Sequence, residues 1–259
     1  MHRLLVLPCL LAVLLAACGG GKSGQSPTAT PGTAATNPAA VTPASQATTG
    51  PTATPGPDPF AALQGYRYQI SLVGNSQSQL TIKGAVKEPN SLSLDFFLAG
   101  SNTAVNSIIV IGDQAWAQDT STNEWQQVDV AEIEAELGPI LPGTLWGNLL
   151  TSQLVAEGTE VGTEDVNGVA TRHLQITQLD ADTLGKLTNT FVGSGGPQPD
   201  SGSMDLWLAQ DGSWPAKADI KLSFPAGSDL SSAQITWEVS DVNGSDIDIQ
   251  PPPVASPTP

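Results

Sequence analysis

Apolar and polar residues alternate one by one over much of the chain beyond residue 60, and this period of two is the feature that most restricts the fold. The first alternating run covers residues 65–72, and the pattern returns at 80–86 and 92–98. Such alternation is typical of β-strands with one buried face. Turn-forming residues separate the runs, namely Gly74-Asn75 and Glu88-Pro89-Asn90. Because these gaps are too short for crossover helices, the sequence predicts a meander of antiparallel strands.

Strand signals continue through the rest of the domain. The run at 105–111 is more continuously apolar than the first three, which indicates a strand covered on both faces, and Asn167-Gly168 is a strong two-residue hairpin turn. The further predicted strands are 105–111, 114–118, 124–128, 161–166, 169–179, 204–209, 216–224 and 234–241.

Three segments change to helical spacing. Asp129 has the position of an N-cap with Glu132 three residues later, and Gly138-Pro139 ends this helix. A third helix begins at 180–182. The second amphipathic helix is predicted by the apolar residues Leu145, Trp146, Leu149, Leu150 and Leu154.

These signals together predict an α+β fold. We expect one large curved antiparallel sheet, a half-barrel of about nine or ten strands, with two or three short helices covering its concave face. A sheet of that width has to curl, and helices with a single apolar stripe suit its concave side.

The N-terminus has the layout of a secretory signal. One basic residue, Arg3, precedes an apolar run that begins at Leu4 and ends at Leu15-Ala16-Ala17-Cys18. This tetrapeptide resembles the lipobox of bacterial lipoproteins, in which the thiol of Cys18 would carry a thioether-linked diacylglycerol. The run is shorter than the roughly 20 residues of a membrane span. The alternative is an ordinary signal peptide cleaved after Ala17, which leaves a free thiol.

Composition divides the chain into four segments. We expect a signal peptide at 1–17, the lipidated cysteine with a disordered Pro/Thr/Ala-rich tether at 18–59, one folded domain at 60–250 and a disordered tail at 251–259. The protein is then expected to be a monomer held by Cys18 on the extracytoplasmic face of the cell membrane.

Charge and cysteine content exclude several partners. The formal net charge of −16 argues against nucleic acid or an anionic bilayer as a direct electrostatic partner. The two cysteines are Cys9, inside the signal peptide, and Cys18, so the mature domain is expected to have no disulfide. We expect no cofactor.

Signals for catalysis or metal binding are weak. His173 is the only histidine beyond the signal peptide, and strand alternation places it on the polar face. The acidic residues at 241–248 do not follow EF-hand spacing. Asp119 with Glu124 is an isolated carboxylate pair. We therefore expect no metal site and no enzymatic activity.

Large apolar side chains, including six tryptophans, are the chemical feature that recurs. Their usual interpretation is a packed core, although a curved sheet under helices can also enclose an apolar cavity suited to acyl chains. The residues predicted to line such a cavity belong to the apolar sheet face or to the helical stripes, and they are Tyr68, Ile70, Leu94, Phe96, Ile133, Leu137, Trp146, Leu149, Leu150, Leu206, Leu222 and Trp237.

Three motifs carry a family resemblance. Residues 166–174 form a Val-x-Gly hairpin that leads to His173, residues 204–217 contain a hydrophobic-Trp-hydrophobic, Asp-Gly, Pro-x-Lys strand pair, and residues 113–116 are followed by Trp125. Over residues 60–250 the chain is similar to the actinobacterial LppX/LprG-type lipoproteins and, more distantly, to the LolA/LolB-like half-barrels.

The resemblance implies a LolA/LppX-like lipid-binding domain. Its hydrophobic cavity would carry lipid or lipoprotein acyl chains across the cell envelope, without enzymatic activity. The residues leave one alternative open, which is a non-catalytic cell-surface protein-interaction module with a solid core.

Overall fold

The computed structural model of the chain describes residues 57–253, apart from residues 76, 120–121, 194–195 and 212–213. The predicted signal peptide, the lipobox and most of the tether lie outside the described residues, as do residues 254–259. Within the described part, no helix is both long enough and apolar enough to cross a membrane.

The described part contains eleven β-strands, and each predicted strand corresponds to one of them. They are β1 (Gly65–Gly74), β2 (Gln77–Lys87), β3 (Ser91–Leu98), β4 (Asn106–Ile111), β5 (Gln114–Gln118), β6 (Trp125–Val128), β7 (Thr159–Val166), β8 (Val169–Ile176), β9 (Ser201–Ala209), β10 (Pro215–Ser223) and β11 (Ser232–Ser240).

All eleven strands form one antiparallel sheet in the order β6-β5-β4-β3-β2-β1-β11-β10-β9-β8-β7. Strands β1–β6 are one meander and β7–β11 are another, and the pairing of β1 with β11 joins them. At this junction Tyr68 lies opposite Val239 and Ile70 opposite Trp237. The predicted α+β fold, a large antiparallel half-barrel, is confirmed, with eleven strands instead of nine or ten.

Four α-helices occur in the described residues, which is one more than predicted. They are α1 (Val130–Leu137), α2 (Pro142–Leu149), α3 (Ser152–Glu157) and α4 (Ala181–Phe191), and a short 3-10 turn (Gly138–Ile140) follows α1. The carboxylate of Asp129 accepts a hydrogen bond from the Ala131 N–H at 2.9 Å, and that of Asp180 accepts from the Thr183 N–H at 2.7 Å. These two N-caps begin α1 and α4 where the sequence predicts.

The prediction of one continuous helix through Leu154 is wrong. The backbone of Leu150 leaves the helical region, with a ψ of 65°, and thereby ends α2. The hydroxyl of Thr151 then accepts a hydrogen bond from the Leu154 N–H at 3.1 Å and begins α3. A threonine that caps a new turn is as compatible with the apolar spacing as an uninterrupted helix, so the pattern does not distinguish the two.

The concave face of the sheet carries the hydrophobic core. Tyr68 stacks on Trp237 with ring centroids 5.0 Å apart, and Trp146 of α2 meets Trp237 edge-on at 5.7 Å. Helices α1–α3 connect β6 to β7, the two edge strands, so the helical segment closes over the concave face between the edges.

Candidate functional site

Eleven of the twelve residues predicted to line a cavity are buried, with exposures between 0% for Leu206 and 8% for Ile133. Leu150, at the end of α2, is half-buried. The buried residues belong to one continuous hydrophobic cluster in which helix and sheet side chains meet directly. Beneath α1 and α2 the concave face is therefore filled by side chains, and space for a ligand lies towards its two ends.

Burial also determines the chemistry of the two tyrosines in this core. Tyr66 and Tyr68 are each 3% exposed. Loss of solvation raises the pKa of both hydroxyls well above the ordinary value, and for Tyr66 the neighbouring Tyr68 and two carboxylates add to the effect. Both side chains stay neutral and act as apolar packing groups.

A cavity of about 300 Å³ lies at one end of the concave face, where β1 and β10 end and β11 begins. We call it the end cavity. Leu222, one of the predicted residues, contributes to its wall, together with Ala233 on the neighbouring strand. The leucine, isoleucine, valine and phenylalanine residues of the lining are Leu72, Val73, Phe191, Val192, Leu222, Leu230 and Ile235.

The loop between β10 and β11 forms one wall of the end cavity, and Asn75 fixes its position. The side-chain oxygen of Asn75 accepts hydrogen bonds from the backbone N–H and the hydroxyl of Ser231, both at 2.8 Å. Its amide nitrogen donates to the carbonyl of Asp229 at 3.0 Å. Asn75 has a φ of 49°, a left-handed conformation that asparagine tolerates better than most residues.

A groove of about 590 Å³ lies at the other end of the concave face, between α2, α3 and the ends of β8 and β9. We call it the Arg172 groove. Trp146 and Leu150, two of the predicted residues, line it. Val155, Leu208 and Arg172 line it as well, and Asp58 lies where the described chain begins.

Sequence reasoning missed most of these lining residues, although part of the signal was present. Leu72 and Ile235 are opposite each other and form the next pair on the same face of the sheet after Ile70 and Trp237. The same alternation therefore includes them. Arg172 alternates with Leu174 on the apolar face of β8. No periodic pattern marks the cavity residues in the loop at 227–230.

His173 lies on the convex face, as strand alternation predicts. Its Nδ1 is 3.1 Å from Oε1 of Glu164, and its Nε2 is 3.2 Å from Oδ1 of Asp205. The ring stacks on Trp207 with centroids 4.2 Å apart. A carboxylate lies within hydrogen-bonding distance of each ring nitrogen, and neither nitrogen contacts a hydroxyl within the described residues. These contacts orient the ring on the sheet.

The acidic residues at 241–248 form a turn. Asp241 pairs with Arg67 at 3.2 Å, and the side-chain oxygen of Asn243 accepts from the Gln64 N–H at 2.7 Å. Asp119 and Glu124 are joined through their backbones at 2.8 Å. In the part of the chain that the structure describes, no three His, Cys, Asp or Glu side chains are grouped so as to hold a metal ion.

Neither a protein-family model nor a curated protein matches the sequence. Among solved structures, lipoprotein LppX of Mycobacterium tuberculosis is 15% identical, with 74% of this chain and 93% of that chain covered and a TM-score of 0.44. LprF of Mycobacterium bovis is 16% identical, with coverage of 76% and 94% and a TM-score of 0.47. A LolA-superfamily protein of Nitrosomonas europaea is 12% identical, with coverage of 73% and 86% and a TM-score of 0.27.

LppX-type lipoproteins and LolA-type proteins are also the proteins that the hairpin motifs of the sequence resemble. At such identities and TM-scores the likeness concerns the fold alone and does not identify a ligand.

Proposed function

We propose that this protein is a bacterial lipoprotein, anchored by Cys18 to the extracytoplasmic face of the cell membrane, that binds an acyl chain in the end cavity and carries it within the cell envelope. The observation that supports the proposal is the cavity itself, because it is apolar and lies at the end of the half-barrel. Its volume of about 300 Å³ is at the lower end of the roughly 300–1,000 Å³ typical of small-molecule sites.

The lining suits a hydrocarbon chain. Seven leucine, isoleucine, valine and phenylalanine side chains line the cavity, and each methylene group transferred from water to such surroundings contributes about 0.8 kcal/mol. Binding and release of this kind require no bond to be made or broken, so the proposal contains no catalytic step.

The predicted anchor and tether fit this function. A tether of roughly forty residues would let the domain turn towards the bilayer and away from it while Cys18 keeps it near the membrane. A cavity that receives or delivers acyl chains needs such freedom.

A second candidate function is a protein-interaction module at the cell surface. The tightly packed core beneath α1 and α2 favours it, because this part of the concave face has no room for a ligand. In this case the end cavity would be an incidental gap, and an acyl chain would not bind there.

Filling the end cavity separates the two candidates. Ala233→Phe places a ring in the cavity, whereas Ala170→Phe makes the same change at an exposed strand position. With the full chain carrying Cys18→Ser, we expect the affinity for 1-decanol, measured by calorimetry, to fall at least about tenfold in Ala233→Phe and to stay unchanged in Ala170→Phe. Lipid extracted from the purified Cys18→Ser chain should contain acyl chains by mass spectrometry.

Two results would contradict the proposal. The first is absence of decanol binding by the Cys18→Ser chain together with absence of co-purified lipid. The second is equal decanol affinity in the two phenylalanine variants while circular dichroism shows both to be folded.

A further inference from the structure

Arg172 is an arginine on the apolar face of the sheet. Within β8 it alternates with Leu174 and Ile176, which are each 2% exposed in the core, and it pairs with Leu208 on β9. Its own side chain is half-buried at the wall of the Arg172 groove. Removing part of a guanidinium from water is unfavourable unless an anion or hydrogen-bond acceptors replace the water.

No carboxylate within the described residues lies at ion-pairing distance from Arg172, and its side chain makes no hydrogen bond there. Most other cations in this part of the chain are engaged. Arg67 pairs with Asp241 at 3.2 Å, Lys186 pairs with Asp182 at 2.7 Å, and Lys87 donates to the carbonyl of Ile247 at 2.7 Å. Lys221 also has no partner, but it is exposed to solvent.

The one carboxylate that lines the groove is used elsewhere. Asp58 accepts a hydrogen bond from the Phe60 N–H at 2.8 Å. Its carboxylate lies so close to Gly143, in the first turn of α2, that a Cβ there would be 2.5 Å from Oδ2. Asp58 makes no ion pair with Arg172, whose guanidinium stays unpaired within the described residues.

A neighbouring donor, the indole N–H of Trp146, also lacks an acceptor among the described residues. Trp146 lines the groove and is 1% exposed, and its indole N–H has no hydrogen-bond partner in the described residues. A buried donor without an acceptor is uncommon in folded proteins and needs a physical reason. The remaining lining is largely apolar and includes Leu150, Val155 and Leu208. The groove thus offers one cationic donor, the guanidinium of Arg172, beside a hydrocarbon surface.

We propose that the Arg172 groove binds the oxyanion head of an amphiphile, a carboxylate or a phosphate, with the guanidinium of Arg172 as the recognising group. A guanidinium donates two parallel hydrogen bonds to either head, and the apolar lining accommodates the first methylene groups behind it. This site is independent of the end cavity. Along β9, Leu208 lies at the groove and Gly202 pairs with Leu222 at the end cavity, a separation of about 20 Å at the usual rise per strand residue.

The test compares ligands that share a ten-carbon chain and differ in the head. Decanoate, decyl phosphate, 1-decanol and inorganic phosphate are titrated by calorimetry into the full chain carrying Cys18→Ser and Ala233→Phe, in which the end cavity is filled. Each titration is repeated with Arg172→Gln, Arg172→Lys and Lys221→Gln added. Lys221→Gln is the matched control, because it removes the other unpaired cation at an exposed position of β10.

We expect decanoate or decyl phosphate to bind at least tenfold more tightly than 1-decanol. Arg172→Gln should abolish this preference, Arg172→Lys should retain part of it, and Lys221→Gln should leave it unchanged. A preference for decanoate assigns the head to a fatty acid, and a preference for decyl phosphate assigns it to a phospholipid. Inorganic phosphate that binds as tightly as decyl phosphate would contradict an amphiphile as the ligand.

Three other results would overturn the proposal. They are equal affinity for decanoate, decyl phosphate and 1-decanol, equal effects of Arg172→Gln and Lys221→Gln, and absence of binding by all three anions. Decanol binding by the chain with Ala233 intact is a separate readout, so failure at the Arg172 groove and failure of the end cavity are distinguishable.

Discussion

Gly84 lies directly beneath the ring of Tyr68, and this contact makes an alanine there costly. The two residues are opposite each other in the β1–β2 register, and a Cβ at Gly84 would be 2.3 Å from Cε1 of Tyr68. The tyrosine ring cannot move aside easily, because it also stacks on Trp237. We expect Gly84→Ala to lower the free energy of unfolding by about 1–3 kcal/mol, as overpacking of a filled core does, measured by urea denaturation.

Gly162→Ala is the matched control for this change. Gly162 also lies within a strand, β7, but a Cβ there meets no atom within 4 Å. Its substitution should change the free energy of unfolding by no more than about 0.5 kcal/mol. Equal losses in the two variants would show that strand glycines, and not the packing against Tyr68, determine the result.

Residue patterns predicted which side chains face the core, but not whether the side chains of the sheet contact those of the helices. Alternation placed Tyr68 and Trp237 on the apolar face, and both are buried there. Whether a cavity remains above them depends on how far α2 lies from the sheet, and the sequence period contains no information about that distance. In the structure Trp146 spans the gap and reaches Trp237.

At the scale of the elements, the side chain of Asn75, which directly follows β1, holds the loop between β10 and β11 in place. Replacing Asn75 by glycine keeps the positive φ accessible but removes the hydrogen bonds to Asp229 and Ser231. One such bond contributes about 1 kcal/mol, so we expect 1-decanol to leave the end cavity roughly fivefold faster in Asn75→Gly. Stopped-flow displacement by an uncharged fluorescent probe measures this rate.

Asn123→Gly provides the corresponding control. Asn123 also has a positive φ, 63°, and its side-chain oxygen accepts a hydrogen bond from Gln118 at 3.0 Å, but it lies in the turn between β5 and β6. Its substitution should leave the dissociation rate unchanged. Faster release in both variants would mean that the loop contacts of Asn75 do not retain the ligand.

Element boundaries were predictable where one side chain determines them. The carboxylates of Asp129 and Asp180 begin α1 and α4, and the positive φ values of Asn167 and Gly168, 52° and 83°, form the predicted hairpin turn. The pairing of β1 with β11 was not predictable in this way. It joins strands from opposite ends of the domain, and no local signal specifies which distant strand completes a sheet.

At the scale of the whole molecule, the core extends without interruption from sheet to helices, and the two tyrosines of the chain both lie in it. Burial raises the pKa of Tyr66 and Tyr68 far above the ordinary value of 10.0. In the unfolded chain both hydroxyls ionise near pH 10. The folded state therefore loses no stability from these groups below pH 10, and it loses stability progressively as the pH rises above that value, because only the unfolded state releases the protons.

Alkaline titration tests this linkage directly, because there are no exposed tyrosines to obscure the signal. We expect phenolate absorbance to stay low until the protein unfolds, and then to rise at the same pH at which the far-ultraviolet circular dichroism is lost. Both curves should shift to lower pH in Gly84→Ala, because a fold with a smaller free energy of unfolding is lost after a smaller rise in pH. Phenolate absorbance that rises near pH 10 while the circular dichroism is unchanged would mean that water reaches the tyrosines in the folded state, and that the centre of the concave face is open instead of filled.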